Sequence, residues 1–189
     1  METNTPGVLT ETTADLTFAL LMATARRFIE ASDYLRAGSW KTWSPMQLTG
    51  QDIYGATLGI FGLGRIGEAL ARRARGFDMT VYYHNRTRKL EVEERLGIEY
   101  VEKERLLCES DFICVLMPFT PETKYYIGTA ELSRMKQSAV LVNTARGGIV
   151  DEVALYHALK NGNIWGAGID VFEQEPVRTN HPLLSLPNV

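Results

Sequence analysis

From Thr57 onward, short apolar runs alternate with stretches of helical periodicity, and this alternation constrains the fold more than any other feature of the chain. The runs are continuously apolar, which is typical of parallel strands covered on both faces. The pattern predicts an α/β fold, a doubly wound parallel sheet of the Rossmann type. The predicted strands are Thr57–Phe61, Met79–Tyr83, Phe112–Leu116, Ala139–Asn143 and Ile164–Asp170, with a weaker one at Ile98–Val101. The predicted helices between them are Ile66–Arg75, Leu90–Leu96, Lys103–Cys108, Thr129–Met135 and Val153–Asn161, with helix-ending glycines at Gly76, Gly97 and Gly162.

The N-terminal part of the chain has a different pattern. One long helix is expected over residues 12–37, begun by Thr12 or Thr13 and ended by Gly38. Its apolar residues lie on more than one side, which predicts burial against its own sheet and against a partner. The following segment, residues 39–52, is predicted to be an irregular arm that packs within the domain or contacts another subunit.

Composition excludes several classes of protein. With 189 residues, 45% hydrophobic and 23% charged, the chain is globular and not disordered. A net charge of -3 argues against a dedicated nucleic-acid binder, and a cluster of arginines at residues 72–75 suits the C-terminal end of a helix. No metal-ligand pattern such as H-E-x-x-H is present, so no metal site is expected.

The chain also lacks the sequence signs of a membrane or secreted protein. Its longest apolar stretch, Leu16–Ala25, is too short to span a bilayer, and the N-terminus has no signal-peptide pattern. Cys108 and Cys114 have no partners at ligand spacing, which indicates reduced thiols. We therefore expect a cytoplasmic domain without membrane contact.

A glycine-rich hexapeptide follows the first predicted strand and opens the next helix. Gly62, Gly64 and Gly67 match the G-x-G-x-x-G fingerprint of dinucleotide-binding turns. The helix N-terminus at Arg65 and Ile66 would supply N–H groups and a positive dipole to a pyrophosphate. The alternatives are an ordinary tight turn, and an Arg65 side chain that points into solvent.

The end of the second predicted strand indicates which dinucleotide is preferred. NAD sites usually place Asp or Glu there, but no carboxylate lies between residues 78 and 91. Arg86 and Arg88 could pair with the 2′-phosphate of NADP, and Asn85 and Thr87 could add neutral hydrogen bonds. The alternative is a solvated basic loop. Because this basic loop lies about 20 residues after the glycine turn, where the adenosine ribose is bound, we expect NADP to be preferred over NAD.

Two further segments follow strand ends, Asn143–Glu152 and Ala167–Pro176, and a third motif lies at Met117–Thr123. Together with the glycine turn, these ordered motifs resemble those of the D-isomer-specific 2-hydroxyacid dehydrogenases, and within them the glyoxylate/hydroxypyruvate reductases. The resemblance covers essentially the whole chain.

The resemblance implies hydride transfer between a nicotinamide and C2 of a small 2-oxo acid. It implies that Arg146 grips the substrate carboxylate and polarises the carbonyl. It implies that Glu175 orients a histidine that donates a proton to the carbonyl oxygen. The residues that match cofactor-contacting positions near the nicotinamide are Pro118, Thr123, Thr144 and Asp170.

The chain departs from the family in two respects. The family's histidine follows a Pro-Asn-Val-like segment, and this sequence ends at Val189, so His84, His157 and His181 are not expected to replace it. The resemblance also implies a second domain that closes over the substrate, which we do not expect within these 189 residues. We expect residues 1–189 to be the dinucleotide-binding domain alone, able to bind NADP(H) with little or no turnover.

The resemblance has consequences for partners as well. The helix 12–37 and the arm with Trp40 and Trp43 match the region through which the family's subunits pair, which predicts a homodimer. Two other functions remain open. One is a dinucleotide-sensing binding module like the corepressors that share this fold. The other is an NAD-dependent relative such as phosphoglycerate dehydrogenase, which a carboxylate at position 84 or 85 would have favoured.

Overall fold

The predicted doubly wound parallel sheet is confirmed in a computed structural model, which describes residues 8–189. Six strands pair in parallel in the order β3-β2-β1-β4-β5-β6. The order reverses between β1 and β4, and ligands of such sheets bind beyond the carboxyl ends of the strands at this point. The strands are β1 Thr57–Phe61, β2 Thr80–His84, β3 Glu99–Tyr100, β4 Phe112–Val115, β5 Val140–Asn143 and β6 Gly166–Ile169.

Helices cover both faces of the sheet. They are α1 Thr10–Ala25, α2 Phe28–Arg36, α3 Arg65–Ala74, α4 Leu90–Leu96, α5 Lys103–Glu109, α6 Thr129–Leu132 and α7 Glu152–Lys160. Short 3-10 helices lie at Arg75–Phe77, Pro121–Thr123 and Pro182–Ser185. No helix in the described part of the chain is long and apolar enough to cross a membrane.

Two hydrophobic cores lie on opposite faces of the sheet, as the continuously apolar strands predicted. Alternate residues of one strand enter different cores: Leu141 packs on one face, and Val140 and Val142 pack on the other. The first core contains residues of α5, α6 and α7, and the second contains residues of α1 and α3. Every strand at the centre of the sheet is therefore buried on both sides.

The prediction of one N-terminal helix over residues 12–37 is wrong. The chain forms α1 and α2, separated by Arg27 in the left-handed conformation with φ 55°. The Ala25 carbonyl, which a continuous helix would use internally, accepts a hydrogen bond of 2.8 Å from the Gln51 backbone N–H. A Cβ on Gly50 would overlap this carbonyl. The end of the arm therefore caps α1 and interrupts the helix.

The predicted start of the N-terminal helical region is wrong, whereas its predicted end at Gly38 is confirmed. Neither Thr12 nor Thr13 is an N-cap, because α1 begins at Thr10 and the Thr13 N–H already donates to the Leu9 carbonyl. Gly38 follows the end of α2 with φ 65°, as predicted. α1 contributes Ala14, Thr17, Phe18, Leu21 and Ala25 to the buried interior, whereas α2 contributes no buried residue. Burial of these helices against a partner stays a prediction.

The other predicted helix ends are mostly confirmed. Gly97 and Gly162 adopt left-handed conformations, with φ 65° and 70°, after α4 and α7. Gly76 does not, because a 3-10 helix extends α3 through Phe77 and the left-handed residue is Asp78. Aspartate tolerates this conformation better than most side chains.

Replacing Leu21 by alanine is expected to lower the free energy of unfolding by about 2–5 kcal/mol, because Leu21 of α1 is fully buried against the sheet. Urea unfolding measures this value. The matched control is Leu90→Ala on α4, where the side chain is exposed and the change should stay within about 0.5 kcal/mol. Equal effects of the two substitutions would contradict the packing of α1.

Candidate functional site

Two adjoining clefts lie at the carboxyl ends of the central strands. The first cleft has a volume of about 510 Å³ and lies between the glycine turn, the loop after β2 and the 118–123 segment. The second cleft has a volume of about 1010 Å³ and lies between the start of α3 and the loops after β5 and β6. The clefts share four lining residues: Gly64, Leu116, Met117 and Pro118.

The predicted site residues divide between these clefts. Those that line the first cleft are Gly62, Gly64, Asn85, Arg86, Thr87, Pro118 and Thr123. Those that line the second cleft are Gly64, Arg65, Ile66, Gly67, Pro118, Thr144, Arg146, Asp170 and Glu175. The fold therefore brings together residues that are far apart in the sequence. Their individual roles remain predictions.

The glycine turn has the geometry that a pyrophosphate requires. Gly62 has φ 98°, and a Cβ there would lie 2.6 Å from the Met117 nitrogen. A Cβ on Gly67 would lie 2.7 Å from the Gly62 carbonyl oxygen, so α3 packs directly on the turn. A Cβ on Gly64 would meet nothing within 4 Å. The backbone at Gly64 thus faces open space next to the first, unpaired N–H groups of α3, and this fits a dinucleotide.

Asn85 supports the turn, a role that sequence reasoning missed. Its Oδ1 accepts a 2.7 Å hydrogen bond from the Leu63 N–H, between two of the fingerprint glycines. The Gly62 N–H donates to the His84 carbonyl at 3.1 Å, which ties the same two segments together. A 2′-phosphate would accept from the Asn85 Nδ2, which lies 3.5 Å from the Leu63 carbonyl oxygen, so the bond of Oδ1 leaves the predicted phosphate contact possible.

Arg88 does not line the first cleft, contrary to its predicted pairing with a 2′-phosphate. Its Nε and Nη2 donate to the two carboxylate oxygens of Glu93, at 2.8 and 2.7 Å. The buried Tyr83 hydroxyl also donates to Glu93, at 2.7 Å. Arg86 and Thr87 remain at the cleft, and Arg86 forms no hydrogen bond or ion pair within residues 8–189.

Within the Arg88–Glu93–Tyr83 cluster, each group shifts the pKa of its neighbours. The Arg88 hydrogen bonds, helped by the Tyr83 hydroxyl, lower the pKa of Glu93 to about 2. Burial and the neighbouring Glu93 charge raise the pKa of Tyr83 to about 12. Glu93 is therefore a carboxylate and Tyr83 a neutral hydroxyl over the whole physiological range.

The loop that carries Arg146 is held by Asn143, which sequence reasoning also missed. The nearly buried Asn143 amide accepts from the Ala145 N–H at 3.1 Å and donates to the Arg146 carbonyl at 3.2 Å. The Arg146 Nη1 donates to the Ala145 carbonyl at 2.7 Å, and the side chain is otherwise exposed at the second cleft. Asn143 thus fixes the backbone from which Arg146 projects.

A close backbone approach joins this loop to the one that carries Glu175. A Cβ on Gly147 would overlap the Phe172 carbonyl, so only glycine lets the two loops touch. The Glu175 Oε1 accepts a hydrogen bond of 2.9 Å from the Phe172 N–H. Asp170 is positioned by its own N–H, which donates to the Asn143 carbonyl at 3.1 Å.

Thr144 and Thr123 make hydrogen bonds inside the protein as well as lining the clefts. The buried Thr144 hydroxyl lies 2.7 Å from Thr17 Oγ1. Because the Thr17 hydrogen goes to the Thr13 carbonyl, Thr144 donates to Thr17 and ties the start of the loop after β5 to α1. The Thr123 hydroxyl donates to the Pro118 carbonyl at 2.9 Å and accepts from the Thr120 N–H at 2.7 Å. The only sequence signal for Thr17 is a polar residue within the apolar stretch Leu16–Ala25.

None of the three histidines lines the second cleft. His84 lines the first cleft, and its Nδ1 lies 2.9 Å from the Val101 carbonyl oxygen. The His181 Nε2 lies 3.0 Å from Glu152 Oε2, and His157 is on α7. Within residues 8–189, no group of three or more His, Cys, Asp or Glu side chains is arranged to hold a metal ion.

The family model of the D-isomer specific 2-hydroxyacid dehydrogenase, NAD binding domain, matches residues 18–189. The chain belongs to the D-isomer specific 2-hydroxyacid dehydrogenase family. Within that family it is similar to a glyoxylate reductase of Korarchaeum cryptofilum, with 59% identity over 188 residues. It is also similar to one of Thermococcus litoralis, with 56% identity over 191 residues. Each match covers 99% of this chain and 57% of the relative.

Three solved structures, among them a dehydrogenase and a reductase, have the same fold. The TT0316 protein of Thermus thermophilus superposes with a TM-score of 0.92 at 50% identity, over 98% of this chain and 58% of that one. A D-lactate dehydrogenase of Aquifex aeolicus complexed with NAD has a TM-score of 0.82 at 34% identity, over 90% and 50% of the chains. An acyclic imino acid reductase (Bsp5) complexed with NADPH has a TM-score of 0.84 at 33% identity, over 95% and 55%.

The chain is therefore a nicotinamide-dinucleotide-binding domain of this dehydrogenase family, in the glyoxylate reductase branch. It spans little more than half the length of the curated relatives that it matches. The glycine turn lies at the topological switch point of the sheet, which is where folds of this kind bind a dinucleotide.

The Glu93→Gln variant is expected to lose about 1–3 kcal/mol of unfolding free energy near pH 7, because Gln cannot form the charged pair with Arg88. The folded pKa of Glu93, about 2, lies below the ordinary value of 4.5. Wild-type stability from this group is thus fully present above pH 4.5 and lost as the pH falls towards 2. The difference between variant and wild type should shrink over that window.

Urea unfolding of both proteins at a series of pH values measures this difference. Glu94→Gln is the matched control, because Glu94 is the exposed neighbour and has no polar side-chain partner in the described range. Its effect should stay within about 0.5 kcal/mol at every pH. A Glu93→Gln effect that does not change with pH would show that the charge of Glu93 does not matter.

Proposed function

We propose that the protein containing this domain transfers a hydride between NADP(H) and C2 of a small 2-oxo or 2-hydroxy acid, of the glyoxylate or hydroxypyruvate type. The observation that carries this proposal is the joining of the two clefts at Gly64 and Pro118. A dinucleotide on the glycine turn would reach from the basic loop after β2 to the cleft that holds Arg146. The glyoxylate reductases among the relatives support the same reaction class.

Arg146 suits the binding of the substrate carboxylate. Its Nη1 bond to the Ala145 carbonyl restrains the guanidinium, and its other N–H groups remain for a carboxylate and a carbonyl oxygen. A permanently charged, forked donor performs both tasks without a change of protonation. The nicotinamide, when bound, donates or accepts the hydride.

Glu175 suits the orientation of a proton donor. One of its oxygens is held by the Phe172 N–H, and the other remains for a histidine N–H. The chain's own histidines do not line this cleft. We propose that the donor and the closing substrate domain belong to parts of the protein outside these 189 residues. The 189-residue chain by itself should therefore bind NADP(H) with little turnover of glyoxylate.

The preference for NADP rests on charge at the end of β2. Arg86 lines the first cleft there, while Glu122 is the single carboxylate among the described lining residues. NAD-selective sites place a carboxylate at the strand end itself, where this chain has His84 and Asn85. A 2′-phosphate would meet a cation and not an aspartate at this position. The structural neighbours include an NAD complex and an NADPH complex, so the fold alone does not decide between the two cofactors.

The 189-residue chain is expected to bind NADPH at least about tenfold more tightly than NADH, because only NADPH offers a phosphate to Arg86. Isothermal titration calorimetry measures both Kd values. Arg86→Met should weaken NADPH binding by about tenfold and change NADH binding by less than about twofold. Equal Kd values for NADPH and NADH in the wild type would contradict NADP preference.

We also propose that the protein is a homodimer that pairs through α2 and the arm. Apolar side chains on this surface that are exposed in the chain are Phe28, Ile29, Leu35, Trp40, Trp43 and Met46. An exposed apolar patch of this kind marks an interaction surface.

The free cysteines, Cys108 and Cys114, are not disulfide-bonded and favour a cytoplasmic location.

Sedimentation equilibrium of the wild-type chain should give twice the mass of one chain. Trp43→Lys should shift the equilibrium to the monomer, because Trp43 is 75% exposed and a lysine there places a charge in the interface. Leu90→Lys on α4 is the control and should leave the mass unchanged, since Leu90 is exposed away from this patch. A monomeric wild type, or an unaffected Trp43→Lys variant, would exclude this interface.

A further inference from the structure

The loop after β2 carries three basic side chains in four positions, and the fold separates them. Arg86 and Lys89 line the first cleft, whereas Arg88 does not. Arg88 instead lies on the outer side of the loop, with its guanidinium carbon 5.9 Å from the centre of the Tyr100 ring. Sequence spacing alone cannot reveal this separation, because all three side chains are long enough to reach either side.

A hydrogen-bond cluster around the buried Tyr83 hydroxyl anchors the backbone at residue 89 and the side chain of residue 88. The Lys89 backbone N–H donates to the Tyr83 hydroxyl at 2.7 Å, and that hydroxyl donates to Glu93. Glu93 in turn accepts hydrogen bonds from Nε and Nη2 of Arg88. The backbone at residue 89 and the side chain of residue 88 are thus anchored to the same cluster. Lys89 is left to project towards the cleft.

The present partner of Lys89 can be exchanged at little loss. The Lys89 Nζ lies 3.2 Å from Glu68 Oε1, and the Lys89 side chain is 36% exposed. Glu68 also accepts a hydrogen bond of 2.7 Å from Arg95 through its other oxygen. Glu68 would therefore keep a cationic partner if Lys89 moved to another anion. Exposed lysine–carboxylate pairs contribute little to stability.

We propose that Lys89, and not Arg88, is the second cation for the 2′-phosphate of NADP(H) and hence a specificity-determining residue. The proposal rests on the NADP preference proposed above. A phosphate at the end of β2 would lie between the Arg86 guanidinium and the Lys89 ammonium, both at the first cleft. A flexible lysine binds phosphate as a point charge and needs no fixed fork geometry. Its charge and that of Arg86 together exceed the single opposing charge of Glu122.

Substitution of Lys89 and of Arg88 by methionine, each in the 189-residue chain, tests the proposal. Both changes remove one positive charge from the same loop and keep an unbranched side chain. Calorimetric titration with NADPH and with NADH gives four Kd values to compare with the wild type. Lys89→Met should weaken NADPH binding by about tenfold and leave NADH binding within about twofold. Arg88→Met should leave both within about twofold to threefold.

Two further variants guard against effects on folding. Arg88→Met could disturb the Glu93 cluster, so Arg88→Lys, which keeps the charge next to Glu93, is measured beside it together with the thermal unfolding midpoint of every variant. Lys89→Arg should restore NADPH affinity to within about threefold of the wild type. If Arg88→Met weakens NADPH binding as much as Lys89→Met in proteins that are equally stable, or if Lys89→Met has no effect, the proposal is wrong.

The same titrations separate this proposal from the proposed function. A wild type that binds NADPH and NADH equally would refute the NADP preference itself, and with it the premise. A wild type that prefers NADPH, and loses that preference on Arg86→Met but not on Lys89→Met, would refute only the role of Lys89.

Discussion

The close packing of the glycine turn is the constraint on which the site depends. The Gly62 backbone touches Met117, and Gly67 touches the Gly62 carbonyl, so β1, α3 and the segment after β4 meet without intervening side chains. This contact places the N-terminus of α3 at the crevice where the strand order reverses. A larger side chain at either glycine would force these elements apart. The position of both clefts follows from this contact.

A second backbone contact does the same for the substrate side. Gly147 lets the loop after β5 lie against Phe172, and this brings Arg146 and Glu175 to one cleft. The Asn143 amide holds that loop through hydrogen bonds to its backbone, and the Thr17–Thr144 hydrogen bond fastens it to α1. The two glycine contacts lie on either side of the shared residues Gly64 and Pro118. The two clefts therefore form one continuous surface.

The fold was predictable from the sequence because its signals are local. Continuous apolar runs gave the strands of the parallel sheet, and Gly97 and Gly162 gave helix ends. Features that were missed or wrong depend on side-chain and backbone contacts that neither periodicity nor motif spacing encodes. The break between α1 and α2 requires Gln51 to cap the Ala25 carbonyl, and the position of Arg88 requires Glu93. The glycine turn and the basic loop after β2 were predictable from the residues themselves, and Arg146 and Glu175 through the resemblance to a family. The supporting roles of Asn85 and Thr17 become visible only from the hydrogen bonds.

A crystal structure of the 189-residue chain grown with NADP+ tests the central claim most directly, that the glycine turn and the basic loop form one dinucleotide site. The account predicts the pyrophosphate at the N-terminus of α3, within hydrogen-bond distance of the Arg65 or Ile66 N–H. It predicts the 2′-phosphate beside Arg86 in the first cleft. A pyrophosphate bound away from the Gly62–Gly67 turn, or a 2′-phosphate pointing into solvent away from Arg86, would contradict it.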